Sequence, residues 1–225
     1  MERDDTVENT SHDPKGKGRE RMTTPVATAT DRLTQTDRRT RSRNALLEAT
    51  ARGLSRHGYG NLVLERVASE AGYSRGALYH LFADKEELVL AVVQWVGETW
   101  YDDVGHLFVD EPDPVEALLA VARASAIYSR RDVAHVLINL RAVFDGRDHP
   151  IGEAVRQAVR RVVDDCTRLI TAGRQSGEIP PGPPPAALAL AYLGAIEGVA
   201  ISLSGQEPYD VVLAEQAARG ILDLT

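Results

Sequence analysis

Hydrophobic residues recur along most of the chain at the three- and four-residue spacing of amphipathic helices. This holds from residue 38 onward, where no alternating run of strand length and no Asn-Gly hairpin signal occurs. This spacing, together with the Gly and Pro residues that interrupt it, predicts nine helices. Three lie at about 44–57, 62–71 and 75–81, a long helix begins at Lys85, and five follow at about 114–129, 131–144, 150–176, 186–204 and 209–223. The chain is therefore predicted to be all-α.

The first 36 residues break this pattern. They contain seven hydrophobic residues, scattered among Thr, Asp, Arg, Gly and Lys. Such a segment buries too little apolar surface to offset the entropy lost on ordering. The sequence thus predicts a disordered tail over 1–36, a small helical domain over 37–84 and a larger helical domain over 85–225.

The predicted helix 186–204 is apolar on nearly every side and has about the length needed to cross a membrane. However, it is rich in alanine and glycine, carries Glu197 near its centre and has no second apolar segment beside it. A helix of this kind is otherwise buried in protein. We therefore expect it to pack against another helix or another subunit, with no membrane as partner.

Charge is unevenly distributed along the chain. The net charge is −7, from 26 basic and 33 acidic residues, yet residues 37–57 hold six arginines against two acids. Because phosphate responds to the local field, the acidic total does not exclude nucleic acid as a partner. The single Cys166 excludes an intramolecular disulfide and a cysteine-based zinc site, and no secretory signal is recognisable, so we expect a cytoplasmic protein.

Residues 62–81 have the pattern of two short helices joined by a tight turn. Gly72 is placed to end the first helix and Ser74 to cap the second. With the apolar side chains of the second helix packed inward, Arg75, Gly76 and Tyr79 remain outside. A short helix with an exposed, basic first turn has the shape that enters a DNA major groove.

Residues 41–90 resemble the DNA-binding domain of the tetracycline-repressor (TetR) family of bacterial transcription regulators. The resemblance is carried by Leu46-Leu47-Glu48-Ala49, Gly58-Tyr59, Val67-Ala68, Ala71-Gly72, Ser74 to His80, Phe82 and Asp84 to Leu88. It implies an N-terminal three-helix DNA-binding domain followed by a helical domain that binds a small molecule and dimerises. Three positions depart from the family pattern. Leu62 stands where threonine is usual, which removes an expected phosphate contact at the start of the second helix, while Leu54 replaces a common phenylalanine and Gly53 a larger apolar residue, which predicts a looser core.

The resemblance also implies which residues contact DNA. Arg75 and the Gly76 backbone correspond to positions that meet base edges, beside the capping Ser74. Tyr79, His80 and Lys85 correspond to positions that touch phosphate or sugar, and Lys85 also begins a helix whose N-terminus attracts anions. From their place before the predicted first helix, Arg41 and Arg43 are expected to reach the backbone or the minor groove.

The last two predicted helices carry more apolar surface than one sheltered face requires. Two such helices from each subunit would form a four-helix interface, in which small residues such as Ala191 and Gly194 allow close approach. A two-fold homodimer places its recognition helices about one DNA turn, roughly 34–36 Å, apart on a near-palindromic operator.

Polar and aromatic residues on otherwise apolar helical faces are the candidates for a small-molecule pocket. They are Trp95, Trp100, His135, Asn139, Phe144, Cys166, Tyr192 and Glu197. His135 and Asn139, four residues apart, are expected to share a helical face. An aromatic wall with a few polar groups suits a mostly apolar ligand, and Glu197 favours a cation.

An enzyme is the main rival interpretation. The sequence has no glycine-rich phosphate loop and no His-Glu-x-x-His metal motif, and its histidines are too scattered to define a site. We therefore predict no catalytic residue, no metal and no cofactor. The sequence favours a homodimeric repressor released from its operator by a small molecule; the alternative is a DNA-binding regulator without a ligand, controlled by a protein partner or by its abundance.

Overall fold

The computed structural model describes residues 35–224. These residues form nine helices of seven or more residues and no strand, which confirms the all-α prediction. The helices are α1 (Gln35–His57), α2 (Leu64–Glu70), α3 (Arg75–Leu81), α4 (Lys85–Trp100), α5 (Pro114–Tyr128), α6 (Val136–Phe144), α7 (Pro150–Ser176), α8 (Pro185–Leu203) and α9 (Tyr209–Leu222). A π-helical turn (Tyr101–Gly105) and a four-residue helix (Leu107–Asp110) lie between α4 and α5.

Two helices differ in length from the prediction. Helix α1 begins at Gln35 rather than near residue 44, because neither Gly nor Pro interrupts this stretch and Asp37 stands in the first turn, where an acid is favourable. The proposed tail 1–36 otherwise lies outside the described residues. Helix α6 begins at Val136 rather than at residue 131, since residues 131–135 form turns.

Local side-chain signals set the ends of the other helices. Asp84 caps α4 by accepting a hydrogen bond from the Glu87 amide at 2.8 Å, and the Glu87 carboxylate accepts one from the Ala83 amide at 2.6 Å. Asp84 and Glu87, three residues apart, thus satisfy two backbone amides at the start of α4, much as in a capping box. Gly177, at φ 86°, ends α7 in the left-handed conformation that glycine adopts most easily.

A first hydrophobic cluster underlies α1–α3, which we call the reader, and continues into the rest of the chain, α4–α9, which we call the body. It includes fully buried Leu46, Leu54 and Leu78 of the reader together with Val92 of α4 and Val155 of α7. The proposed boundary between 37–84 and 85–225 therefore falls within one continuous core.

A second cluster occupies the far end of the body. It is built from α5, the second half of α7, α8, α9 and the turns that follow α4. Helix α7 has 27 residues and contributes to both clusters, with Val155 in the first and Cys166 in the second. Helix α7 therefore packs in both hydrophobic clusters and connects them.

One buried ion pair fixes α9 against α5. The Asp210 carboxylate is fully buried and receives two hydrogen bonds from the Arg130 guanidinium, at 2.8 and 3.0 Å. These hydrogen bonds lower the pKa of Asp210. Because a lone buried charge is costly, the pair holds the start of α9 at the end of α5.

Helix α8 is the one helix within residues 35–224 that is long and apolar enough to cross a membrane. Only 17% of its apolar window is buried inside the chain. Glu197, near its centre, is bound by Arg141 of α6 at 2.6 Å. The helix therefore offers a largely uncovered apolar face.

The unusual Gly53 and Leu62 compensate for each other. A side-chain carbon added at Gly53 would stand 2.8 Å from Cδ1 of Leu62, which is buried against α1. Leucine thus fills the space that the glycine leaves. The looser core predicted at this place is absent.

Gly173 of α7 and Ile179, in the loop that follows α7, also approach each other closely, and this contact leads to a prediction about stability. A carbon added at Gly173 would lie 2.7 and 2.9 Å from two side-chain atoms of buried Ile179. We expect Gly173→Ala to lower the free energy of unfolding by about 1–3 kcal/mol through overpacking, as measured by urea denaturation.

The matched control for that variant is Gly97→Ala in α4, where an added carbon meets nothing within 4 Å. This change is expected to leave stability unchanged or raise it by up to about 1 kcal/mol, because alanine favours the helix. Ile179→Val should restore part of the loss in Gly173→Ala. Equal stability of the two glycine variants would contradict the packing argument.

Candidate nucleic-acid interface and internal cavity

The turn between α2 and α3 holds the two helices in a fixed relation. Gly72 adopts φ 77°, and the Tyr73 amide bonds back to the Ala68 carbonyl at 2.8 Å. Ser74 caps α3 by accepting a hydrogen bond from the Ala77 amide at 3.2 Å. Because Leu78 packs fully inside, the opposite face of α3 is presented to solvent.

Arg75 stands exposed in the first turn of α3. Its guanidinium pairs with Glu65 of α2 at 2.9 Å and lies 5.3 Å from the centre of the Tyr79 ring. An exposed pair of this kind contributes at most about 1 kcal/mol, so a stronger partner can displace it. The Arg75 guanidinium is therefore oriented by weak contacts and can exchange Glu65 for another partner.

The neighbouring positions of α3 also face outward. Ser74, Gly76, Tyr79 and His80 are all exposed. A carbon added at Gly76 would meet only the Ser74 hydroxyl, at 3.9 Å, so packing within the protein does not require glycine there. The backbone at Gly76 is therefore open to a surface that approaches α3 from outside.

Lys85 is less free than the sequence suggested. Its ammonium donates a hydrogen bond to the Tyr59 carbonyl at 2.6 Å and lies 4.4 Å from the centre of the Tyr59 ring. Partial burial lowers the pKa of Lys85. An ammonium has three donors, so two remain for a phosphate while the third holds the reader to the start of α4.

Arg41 and Arg43 lie within α1 rather than before it, and both are exposed. The Arg43 guanidinium lies 5.4 Å from the centre of the Phe82 ring, at the end of α3. These arginines therefore lie on the first helix of the reader itself, which corrects the expectation of a preceding arm.

A half-open cavity of about 640 Å³ lies where the two hydrophobic clusters meet. Its wall is drawn from α4, the end of α5, α6, the middle of α7 and α8. Most of the wall is aliphatic, and Trp100 and Tyr101 form an aromatic side. The volume is within the range that holds a drug-sized molecule.

Three of the eight predicted pocket residues line this cavity: Trp100, His135 and Glu197. Glu197 is bound there by the Arg141 guanidinium, with oxygen–nitrogen distances of 2.6 and 3.4 Å. The acid that favoured a cationic ligand is therefore already neutralised by the protein.

Asn139 and Phe144 contact the reader, and Trp95 packs against the first hydrophobic cluster. Asn139 reaches the Ser55 carbonyl of α1 at 3.5 Å, while Phe144 packs edge-on against Tyr59, with ring centres 5.0 Å apart. These contacts place all three outside the cavity wall.

Cys166 and Tyr192 are also outside the wall, within the second cluster. Burial raises the pKa of the Cys166 thiol to about 12, so the group behaves as a small apolar side chain. The Tyr192 hydroxyl donates a hydrogen bond to the Leu118 carbonyl at 2.6 Å. Both are satisfied core residues.

Sequence reasoning missed several polar residues of the cavity wall. Ser125 and Tyr128 lie three residues apart on α5, and Arg141 is the single charge of α6. Burial raises the pKa of Tyr128 to about 12 against the opposing effect of Arg131. The lone arginine within the apolar run Val136–Phe144 could have indicated an ion pair in the cavity wall.

No metal site emerges from the part of the chain that the structure describes. Among residues 35–224, no group of three or more His, Cys, Asp or Glu side chains is arranged to hold a metal ion.

The sequence comparisons match the reader. Residues 46–92 match the family model described as bacterial regulatory proteins, tetR family. A segment of 58 residues, 26% of the chain, is 41% identical to the HTH-type transcriptional repressor AcnR of Corynebacterium glutamicum, of which it covers 31%. The chain spans about a third of the length of the first curated relatives that it matches.

The structural comparisons extend over both reader and body. The crystal structure of AibR in complex with isovaleryl coenzyme A and operator DNA superposes with a TM-score of 0.69 at 20% identity, covering 82% of this chain and all of that one. A TetR transcriptional regulator from Chloroflexus aurantiacus superposes with a TM-score of 0.70, also at 20% identity, over 83% of this chain and 94% of that one. The whole helical arrangement is thus shared.

The geometry of α3 generates a prediction for Arg75. If its guanidinium pairs with a base, Arg75→Ala is expected to lose about 1–3 kcal/mol of discrimination between a preferred duplex and one changed at that base. Competition binding measures this difference. Arg168→Ala removes the same charge from α7 and should discriminate as the wild type does; an unchanged preference in Arg75→Ala would exclude the base contact.

Lys85 generates a second prediction. If it binds phosphate, Lys85→Ala is expected to weaken binding to all duplexes and to reduce the slope of log affinity against log salt by about 0.9 for each phosphate that the lysine neutralises. Lys85→Arg keeps the charge and should keep the slope. A wild-type slope in Lys85→Ala, with only a lower melting temperature, would limit Lys85 to its bond with the Tyr59 carbonyl.

Proposed function

We propose that the chain is a transcription regulator of the TetR type, a homodimeric repressor released from its operator by a small molecule, because residues 46–92 match the tetR family model and the helical arrangement is that of solved TetR regulators. One observation carries the proposal above the others. Helix α4 lines the cavity from Leu90 to Trp100 and, at its first residue, holds the reader through Lys85 and the Tyr59 carbonyl.

DNA is bound, on this proposal, by α3 and the helix ends around it. Arg75 and the Gly76 backbone meet base edges, while Ser74, Tyr79, His80 and Lys85 hold phosphate and sugar. Arg41 and Arg43 add positive charge from α1. The support for this assignment is the exposed face of α3 and the open space at Gly76.

The homodimer forms through α8 and α9. Among the described residues nine large hydrophobic side chains are exposed, and five of them lie on these two helices: Leu190, Ile201, Tyr209, Val212 and Leu213. Added carbons at Gly194 and Gly198 would meet nothing within the chain, so this face is open. A contiguous apolar face of this kind supports an interface between subunits.

The small molecule binds in the cavity and acts through the helices that line it. Besides α4, helix α6 faces the cavity with Ile138 and Arg141 and faces the reader with Asn139 and Phe144. The ligand releases DNA by favouring the arrangement of α4 and α6 in which the two readers no longer fit adjacent half-sites. A cavity with polar groups in its wall favours this function over a regulator without a ligand.

A structural neighbour supports the combination of the two activities. AibR is described in complex with both isovaleryl coenzyme A and operator DNA, so one protein of this fold holds a small molecule and an operator together. We place the present protein in the cytoplasm, where operator DNA is accessible, with no membrane partner and no cofactor.

The dimer and the operator are tested together. Purified protein is used to select duplexes from a random-sequence pool, and we expect a near-palindromic site with half-sites roughly 34–36 Å apart. Val212→Glu places an unpaired charge in the interface, at a cost of about 3–5 kcal/mol, and should sediment as a monomer with much weaker binding to that site.

Val109→Glu is the matched control, because Val109 is exposed outside α8 and α9. It should remain dimeric and bind as the wild type does. A wild-type chain that sediments as a monomer at micromolar concentration would defeat the interface, and failure to enrich any sequence would defeat the function.

A further inference from the structure

The cavity wall contains polar atoms that the protein itself leaves without partners. Among the described residues six buried side-chain atoms have no hydrogen-bond partner, and three of them belong to the wall: the hydroxyls of Ser125 and Tyr128 and Nε2 of His135. Tyr128 is only 6% exposed. Buried polar groups are almost always paired, so a cluster of unpaired ones in a cavity points to a ligand that pairs them.

The three groups can donate as well as accept. Burial raises the pKa of Tyr128 to about 12, although the charge and a side-chain hydrogen bond of nearby Arg131 oppose this shift. The hydroxyl therefore keeps its proton at neutral pH, and that proton can be donated to an oxygen. The Ser125 hydroxyl can rotate to donate or accept, and Nε2 of His135 can do either according to its tautomer. These three side chains can therefore hydrogen-bond to a carbonyl or hydroxyl oxygen of a ligand.

The interior of the cavity offers no unpaired charge. Arg141 and Glu197 neutralise each other across it, from α6 and α8. The other two charged residues of the wall are exposed: Glu98 accepts a hydrogen bond from Gln94, and Arg161 lies over the ring of Tyr101. Away from the exposed Arg161, a carboxylate or an ammonium bound in the cavity would lose its hydration without gaining a free counter-charge.

We propose that the cavity takes a neutral, mostly apolar molecule whose carbonyl or hydroxyl oxygen hydrogen-bonds to Tyr128 and Ser125, beside His135. The apolar part of the molecule lies against the aliphatic wall and Trp100. This ligand class rests on the proposed function only for its effect on DNA, since binding itself is measured without DNA. It replaces the cationic ligand that Glu197 alone suggested.

Four probes of equal chain length test the ligand class by calorimetric titration: 2-decanone, 1-decanol, decanoate and decylammonium. We expect the ketone and the alcohol to bind at least tenfold more tightly than either ion. Tighter binding of decanoate or decylammonium would overturn the proposal, and so would the absence of binding by all four.

Tyr128→Phe and Ser125→Ala test the contact itself. Each is expected to weaken 2-decanone binding roughly five- to tenfold, because the ligand oxygen then has one hydrogen-bond donor fewer. Without ligand, neither variant should melt at a lower temperature than the wild type, since each removes an unpaired hydroxyl. Tyr73→Phe, which removes a hydroxyl outside the cavity, should bind 2-decanone as the wild type does.

Two results distinguish this proposal from the proposed function. If 2-decanone binds through Tyr128 but leaves the selected duplex bound, the ligand class stands and ligand-controlled release fails. If decanoate or decylammonium binds more tightly than 2-decanone and releases the duplex, release stands and the ligand class fails. A Tyr128→Phe variant that melts lower and binds 2-decanone unchanged would show that the hydroxyl serves only the fold.

Discussion

The reader and the body share one hydrophobic core, and this shared packing determines how the two halves of the protein can move. Leu54 and Leu78 of the reader are buried in the same cluster as Val92 of α4 and Val155 of α7. Separating the halves would expose that cluster, so a displacement of α4 has to carry the reader with it. The reader therefore takes its position from the body.

The cavity is placed so that a bound molecule can act on the core that the reader and the body share. It lies between the shared core and the second cluster, and α4, α6 and α7 pass along it. Close-packed interiors respond to added volume by shifting whole helices rather than by local compression. A molecule in the cavity is therefore well placed to change the distance between two readers in a dimer.

The reader could be predicted from the sequence because its signals are local. Gly72, Ser74 and the Asp84–Glu87 pair act within a few residues of chain, and the structure confirms the helix ends that they predicted. The N-terminal extension of α1 was missed because a run of arginines is compatible both with a flexible basic segment before a helix and with the exposed face of a helix. The resemblance over 41–90 supplied the function that these signals alone did not.

The cavity was predicted less well because helix packing decides which face looks inward. Trp95 and Trp100 are five residues apart, or about 140° around α4, so only one of them reaches the cavity. His135 precedes α6 instead of lying in it, so the four-residue spacing to Asn139 did not give a common face. No sequence signal marked Ser125, because its place in the cavity wall depends on how α4, α6, α7 and α8 pack around α5.

The helical state of Arg41 and Arg43 has a consequence for the thermodynamics of association. A basic arm that folds on meeting DNA loses conformational freedom at that moment and gives a large heat-capacity change. Here α1 is already formed from Gln35 onward, and Arg43 rests beside Phe82. If these arginines bind phosphates as proposed, they do so from a helix that is already formed, and their attraction contributes to affinity without an accompanying folding step.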